Sequence, residues 1–110
     1  MKEIKAYIRK SMADRVIQKL EQAGVKGMTV IDVAALARWA DKESFSYSIE
    51  YVEKYSMVVK LEIVCEEKDT DMLTDIIIKY GKTGKSGDGM IFVSPIEKSI
   101  KIRNNQINIL

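Results

Sequence analysis

Histidine is absent from the 110 residues, and cysteine and proline occur once each. Without histidine the commonest general base and metal ligand are missing, which excludes a Ser-His-Asp triad and a His-rich zinc site. A single cysteine, Cys65, excludes an internal disulfide. Its place within the apolar run LEIVC reads as a reduced, buried thiol of an intracellular protein. No apolar run approaches the ~20 residues of a membrane span, and the opening MKEIKAYIRK has no apolar signal core. Charge of neither sign dominates: 18 basic and 16 acidic residues leave +2, which gives no general case for direct nucleic-acid binding or membrane insertion. The reading is a cytoplasmic domain.

What is present suits one folded unit. The chain is 46% hydrophobic and 31% charged, ordinary for a globular domain with one modest core. Ile4, Ala6 and Ile8 alternate with Lys5, Tyr7 and Arg9, the period of a half-buried strand. Ser11, with Asp14 three residues on, is placed to cap a helix whose stripe is Met12, Val16, Leu20 and Ala23 and whose stop is Gly24. A strand follows from Met28 to Val33. Val59, Leu61, Ile63 and Cys65 share one side of another over 58–65. A second helix starts at Asp69 or Thr70, buries Met72, Leu73, Ile76, Ile77 and Tyr80, and stops at Gly81. MIFV and SIKIR supply the last strands. The order predicts an α+β, ferredoxin-like βαββαβ fold with an added C-terminal strand and two helices on one face of an antiparallel sheet. Tyr7, Val64 and Met28 or Thr29 leave apolar matter on the other face, an argument for oligomerisation.

Two stretches resist that description. Between Ala37 and Met57 no periodicity persists, and Phe45, Tyr47, Tyr51 and Tyr55 put four aromatic rings in a polar connection. Such a segment is either a functional loop or, from its alternation over 45–53, a β-ribbon. The other is TGKSGDGMIFV, Thr83 to Val93. Its glycines fit a tight turn between elements, and also a nest of backbone N–H groups that holds phosphate.

GMTV at Gly27, KLEIV at Lys60, TGKSGDGMIFVSP at Thr83 and IKIR at Ile100 stand in the order and spacing of one family. The chain resembles the nitrogen-regulatory P-II signal-transduction proteins over essentially its whole length, as a single domain, residues 1–110. The resemblance implies a homotrimer that is not an enzyme. It would bind ATP or ADP in clefts between subunits and dock a T-loop, about 37–55, onto a target enzyme, transporter or regulator. Thr83, Gly84, Gly87, Asp88 and Gly89 then fall at the phosphate contacts of a B-loop spanning about 82–90. Gly27, Met28, Thr29, Tyr7 and Val64 fall at the adenine side, and Lys101 and Arg103 at the basic contacts of the C-terminal strand. Trp39, Phe45, Tyr47, Tyr51 and Tyr55 fall in the partner-binding loop. Tyr51 stands where some members are uridylylated, within a YSIEY that departs from their pattern.

Other departures are as informative. Met90 replaces a basic residue of the B-loop, and a charge-assisted contact of that kind contributes on the order of 1.5–3 kcal/mol. Lys101 replaces an arginine and loses its bidentate fork. These changes point to weakened nucleotide binding that favours ADP or AMP, with the part of Mg²⁺ left open. Trp39 and Val58 replace the glutamine and lysine through which typical members hold Mg²⁺ and 2-oxoglutarate, so sensing of that effector in the usual form is expected to be lost. The alternative is an interaction trimer that has lost ligand binding.

Overall fold

The computed structural model describes residues 1–33 and 58–110. Strand β1 (Lys2–Arg9) runs without a loop into helix α1 (Lys10–Gln22), and β2 (Thr29–Val33) follows. Strand β3 (Val58–Cys65), a short 3-10 turn (Glu67–Asp69), helix α2 (Thr70–Gly81) and β4 (Met90–Pro95) complete the order β-α-β-β-α-β. The sheet is antiparallel throughout, in the order β2-β3-β1-β4, so β1 is hydrogen-bonded on both sides. This is the ferredoxin-like α+β plan.

Period-two patterning puts one apolar row on the helix side of each central strand. Ile4, Ala6 and Ile8 of β1 pair with Ile63, Leu61 and Val59 of β3. All six are buried. Onto this row α1 packs Ala13, Val16 and Leu20, and α2 packs Leu73 and Ile77, spaced i, i+3/i+4 as one helix face requires. The Cys65 thiol is buried beside the Thr70 hydroxyl, as its apolar setting predicted. On the open face Tyr7 and Phe92 meet edge to face at 6.0 Å, with Val64 and Met90 exposed on the same side of their strands.

Three details differ from the sequence reading. Ser11 lies inside α1, because β1 leads straight into the helix and extended Arg9 takes the cap position without a side-chain bond. Met72 is 45% exposed: Leu73 and Ile77 already hold the buried stripe of α2, and Met72 falls to one side of it. The expected fifth strand is a turn. Ile100 bridges Ile107, the Lys101 amide donates to the Gln106 carbonyl at 2.8 Å, and Asn105 and Asn108 take left-handed φ values of 60° and 57°. Alternation of Ile100, Lys101, Ile102 and Arg103 imitates a strand, but the chain reverses before it can pair with the sheet. Ile102 at the tip is 96% exposed.

Leu61→Ala should therefore cost about 2–5 kcal/mol in urea-induced unfolding, because it opens a cavity in the fully buried core. Met72→Ala should cost less than ~1 kcal/mol in the same measurement.

Candidate functional site

The loop between α2 and β4 is organised by one carboxylate. Asp88 Oδ2 accepts from the Thr83 amide at 2.9 Å and the Gly84 amide at 2.8 Å. Its Oδ1 accepts from the Thr83 hydroxyl and, at 3.0 Å, from Arg9 Nε. Arg9 Nη2 also donates to the Ser86 carbonyl at 2.6 Å, and the Lys85 amide donates to Thr83 Oγ1 at 3.2 Å. The last residue of β1 thus clamps a loop 79 positions away. Partial burial pushes the Asp88 pKa up, but the Thr83 hydroxyl, the Arg9 guanidinium and the two amides outweigh it and hold the group down at about 2.

Glycine is required where the backbone turns left-handed. Gly84, Gly87 and Gly89 have φ of 83°, 98° and 96°. At Gly89 the demand is also steric, since a Cβ there would lie 1.7 Å from the Tyr7 carbonyl oxygen. The loop needs that close passage to deliver Met90 to its register opposite Tyr7.

The sequence-derived candidates fall into two groups. Tyr7, Asp88, Gly89 and Met90 line a hollow of about 360 Å³ with Ile77, Ile78 and Lys82, at the end of β1 that leads into α1. Gly27, Met28, Thr29 and Val64 line another of about 770 Å³, with Glu62, Met72 and Leu110, by the opposite end of β1 and alongside strands β2 and β3. Val64 pairs with Glu3 and Met90 with Tyr7, so the groups are separated by four residues of strand, about 13 Å. Lys101 and Arg103 stand exposed on the C-terminal turn, not side by side on a strand. Val58 is buried, paired with Arg9. Trp39, Phe45, Tyr47, Tyr51 and Tyr55 lie outside the described residues, as does the T-loop reading built on them.

Several N–H and O–H groups expected to face an anion are engaged within the loop. The Thr83 and Gly84 amides and the Thr83 hydroxyl serve Asp88, and the Lys85 amide serves Thr83. Arg9 was not singled out by the sequence reading. The signal for it was weak, an arginine at the outward end of an alternating strand with no local acidic partner. Among the described residues no cluster of three or more carboxylate, cysteine or histidine side chains is placed to hold a metal ion, and no helix is long and apolar enough to cross a membrane.

The family model described as "Nitrogen regulatory protein P-II" matches residues 1–106, which include every one of these candidate residues. The chain belongs to the P-II family. Curated relatives with the name "Nitrogen regulatory protein P-II" agree. The protein of Microchaete diplosiphon is 38% identical over 108 residues, covering 98% of this chain and 96% of the relative. That of Porphyra purpurea is 38% identical over 112 residues with the same coverage. That of Synechocystis is 35% identical over 106 residues, covering 96% and 95%. In this P-II chain the glycine loop is a turn whose Thr83 and Gly84 amides are occupied by its own aspartate.

Two consequences can be measured. Gly89→Ala should destabilise the fold by about 3 kcal/mol or more in thermal or urea unfolding, because backbone must move off the Tyr7 carbonyl. Gly84→Ala, with open space around its Cβ, should cost only the left-handed penalty of about 1–2 kcal/mol.

The Asp88 carboxyl is more acidic folded than unfolded, so its contribution is complete above the unfolded value near 4 and is lost as pH falls through about 2. Asp88→Asn should lower stability at pH 7 by on the order of 1–2 kcal/mol after allowance for solvent screening. The difference from the unsubstituted protein should narrow steadily below pH 4 in a pH series of urea melts.

Proposed function

We propose that this P-II protein is a non-enzymatic signal-transduction regulator: a homotrimer that binds an adenine nucleotide in clefts between subunits and controls a target protein through the loop over 37–55. The observation that carries the reading is the separation of the candidate residues within one chain. The group around Thr29 and Val64 offers an apolar wall, and the loop around Gly87 offers a backbone nest. A second copy of the chain is needed to set one against the other. Half-buried Tyr7 and exposed Phe92, Met90 and Val64 make the open side of the sheet an apolar surface suited to that assembly. Among the described residues the Gly87 amide donates to no protein acceptor, which makes it the leading phosphate contact.

Charge decides the nucleotide. Met90 brings no cation to the loop, and the Arg9 guanidinium is committed to Asp88 and the Ser86 carbonyl. With Lys82 as the lysine on the lining of the hollow and no cation at position 90, each phosphate added to the ligand gains less here than at a site that has both, which favours ADP or AMP over ATP. Val58, buried and apolar, has no charge for the carboxylates of 2-oxoglutarate. A regulator of this kind works because nucleotide has different affinity for different arrangements of the loop over 37–55.

A second reading is an interaction trimer that no longer binds ligand. Its support is the engagement of the Thr83 and Gly84 amides by Asp88, which leaves fewer donors for phosphate.

Calorimetric titration with ATP, ADP and AMP, with and without Mg²⁺ and 2-oxoglutarate, separates the two. The regulator reading expects binding of at least one nucleotide, ADP or AMP no weaker than ATP, no enhancement by 2-oxoglutarate, and loss of affinity in Gly87→Ala with the oligomer intact. Silence from all three nucleotides at millimolar concentration leaves the interaction trimer.

A further inference from the structure

Away from both hollows, three cations converge on one aromatic ring. Arg15 Cζ lies 5.3 Å from the centroid of Tyr80, Lys19 Nζ 5.1 Å and Lys79 Nζ 5.3 Å. Arg15 and Lys19 are one turn apart on α1, so they project from the same face, while Lys79 and Tyr80 sit in the last turn of α2. The ring quadrupole attracts each cation, and the partial negative charge at the C-terminus of α2 favours them there. Neither effect supplies a counter-charge. With each within 5.3 Å of a common point, no two of them are more than about 11 Å apart, close to one Debye length at physiological salt.

Among the described residues, four lysines elsewhere on the molecule are paired with carboxylates. Lys2 reaches Glu67, Lys5 reaches Glu3, Lys10 reaches Asp32 and Lys60 reaches Glu62. Among the described residues Arg15, Lys19 and Lys79 have no carboxylate within 4.0 Å. Asp14 and Glu21 on α1 and Asp71 and Asp75 on α2 are the acidic residues of the same two helices. None of them pairs with the cluster. A protein of nearly balanced charge therefore gathers three unpaired cations on the outer surface of its helix pair and holds them around a tyrosine.

We infer that the Arg15–Lys19–Lys79–Tyr80 face is a docking surface for an acidic segment of a partner protein. Its shape favours that occupant over a small anion. The cations stand on two adjacent helices, and neither hollow described above includes them. Long side chains spread over two helices can instead meet successive carboxylates of an extended or helical segment, and the tyrosine offers an apolar contact between them. The surface shares no residue with either hollow or with the loop segment 37–55.

The test uses the intact protein and a fluorescein-labelled ten-residue Glu/Asp-rich peptide, followed by anisotropy at low and physiological salt. Binding is expected, weakening with salt, and Arg15→Gln/Lys19→Gln/Lys79→Gln should weaken it by about tenfold, as three exposed charge contacts imply. Lys26→Gln/Lys68→Gln/Lys98→Gln, which removes the same charge from exposed positions elsewhere, should leave affinity within about twofold. Circular dichroism of both variants should match the unsubstituted protein, since none of the six side chains is in the core. Equal loss in the two variants would reduce the effect to net charge and overturn the proposal. So would absence of binding at low salt. Displacement of the peptide by inorganic phosphate at constant ionic strength would make this a small-anion site. Sedimentation with phosphatidylglycerol vesicles that depends on the same three residues would make it a membrane contact.

Discussion

The contact between Arg9 and Asp88 fixes how the ends of this chain meet. Strand β4 joins the sheet only after the chain has left α2, reversed through three left-handed glycines and passed against the Tyr7 carbonyl. Asp88 holds that reversal from inside by accepting from Thr83 and Gly84, and Arg9 ties it to the end of β1. The carboxylate acts as a substitute for backbone acceptors in a segment too tight to satisfy its own amides. Once the loop is set, the register of β4 on β1 follows from Tyr7 opposite Met90 to Lys2 opposite Pro95.

Much of this was legible in the sequence where a single period governs the residues. The alternation in Ile4, Ala6 and Ile8, and again in Val59, Leu61, Ile63 and Cys65, identifies both the strands and the side that is buried. Leu73 and Ile77 do the same for α2. The readings that failed depend on how elements are joined. Ser11 looks like a cap only if a loop precedes the helix, and here the strand supplies the cap position itself. Ile100 to Arg103 alternates as a strand does, but Asn105 and Asn108 accept left-handed backbone and the chain doubles back. Those asparagines were the available warning.

The candidate site divides along the same line. Its glycines were visible because left-handed backbone has few other solutions. The use of Asp88 within the loop was not, because one of the four hydrogen bonds it accepts comes from Arg9 near the far end of the chain. The membership of the P-II family explains why the motifs occur together, while the geometry of one chain explains why they do not form one cavity. In the assembly proposed above these separate regions of a small sheet meet across copies, and the open face between them has aromatic and aliphatic side chains for such a meeting.

The junction at Arg9 and Lys10 has a mechanical consequence. Arg9 is at once the end of the central strand, the cap position of α1 and the clamp on the glycine loop. With no slack between strand and helix, a tilt of α1 pivots at the Cα of the residue whose guanidinium holds the loop. The helix is then a lever with its fulcrum at the sheet and its short arm in the cradle. Displacement of α1 would reach the loop by two routes, through the Arg9 side chain and through α2, which packs on α1 and ends where the loop begins.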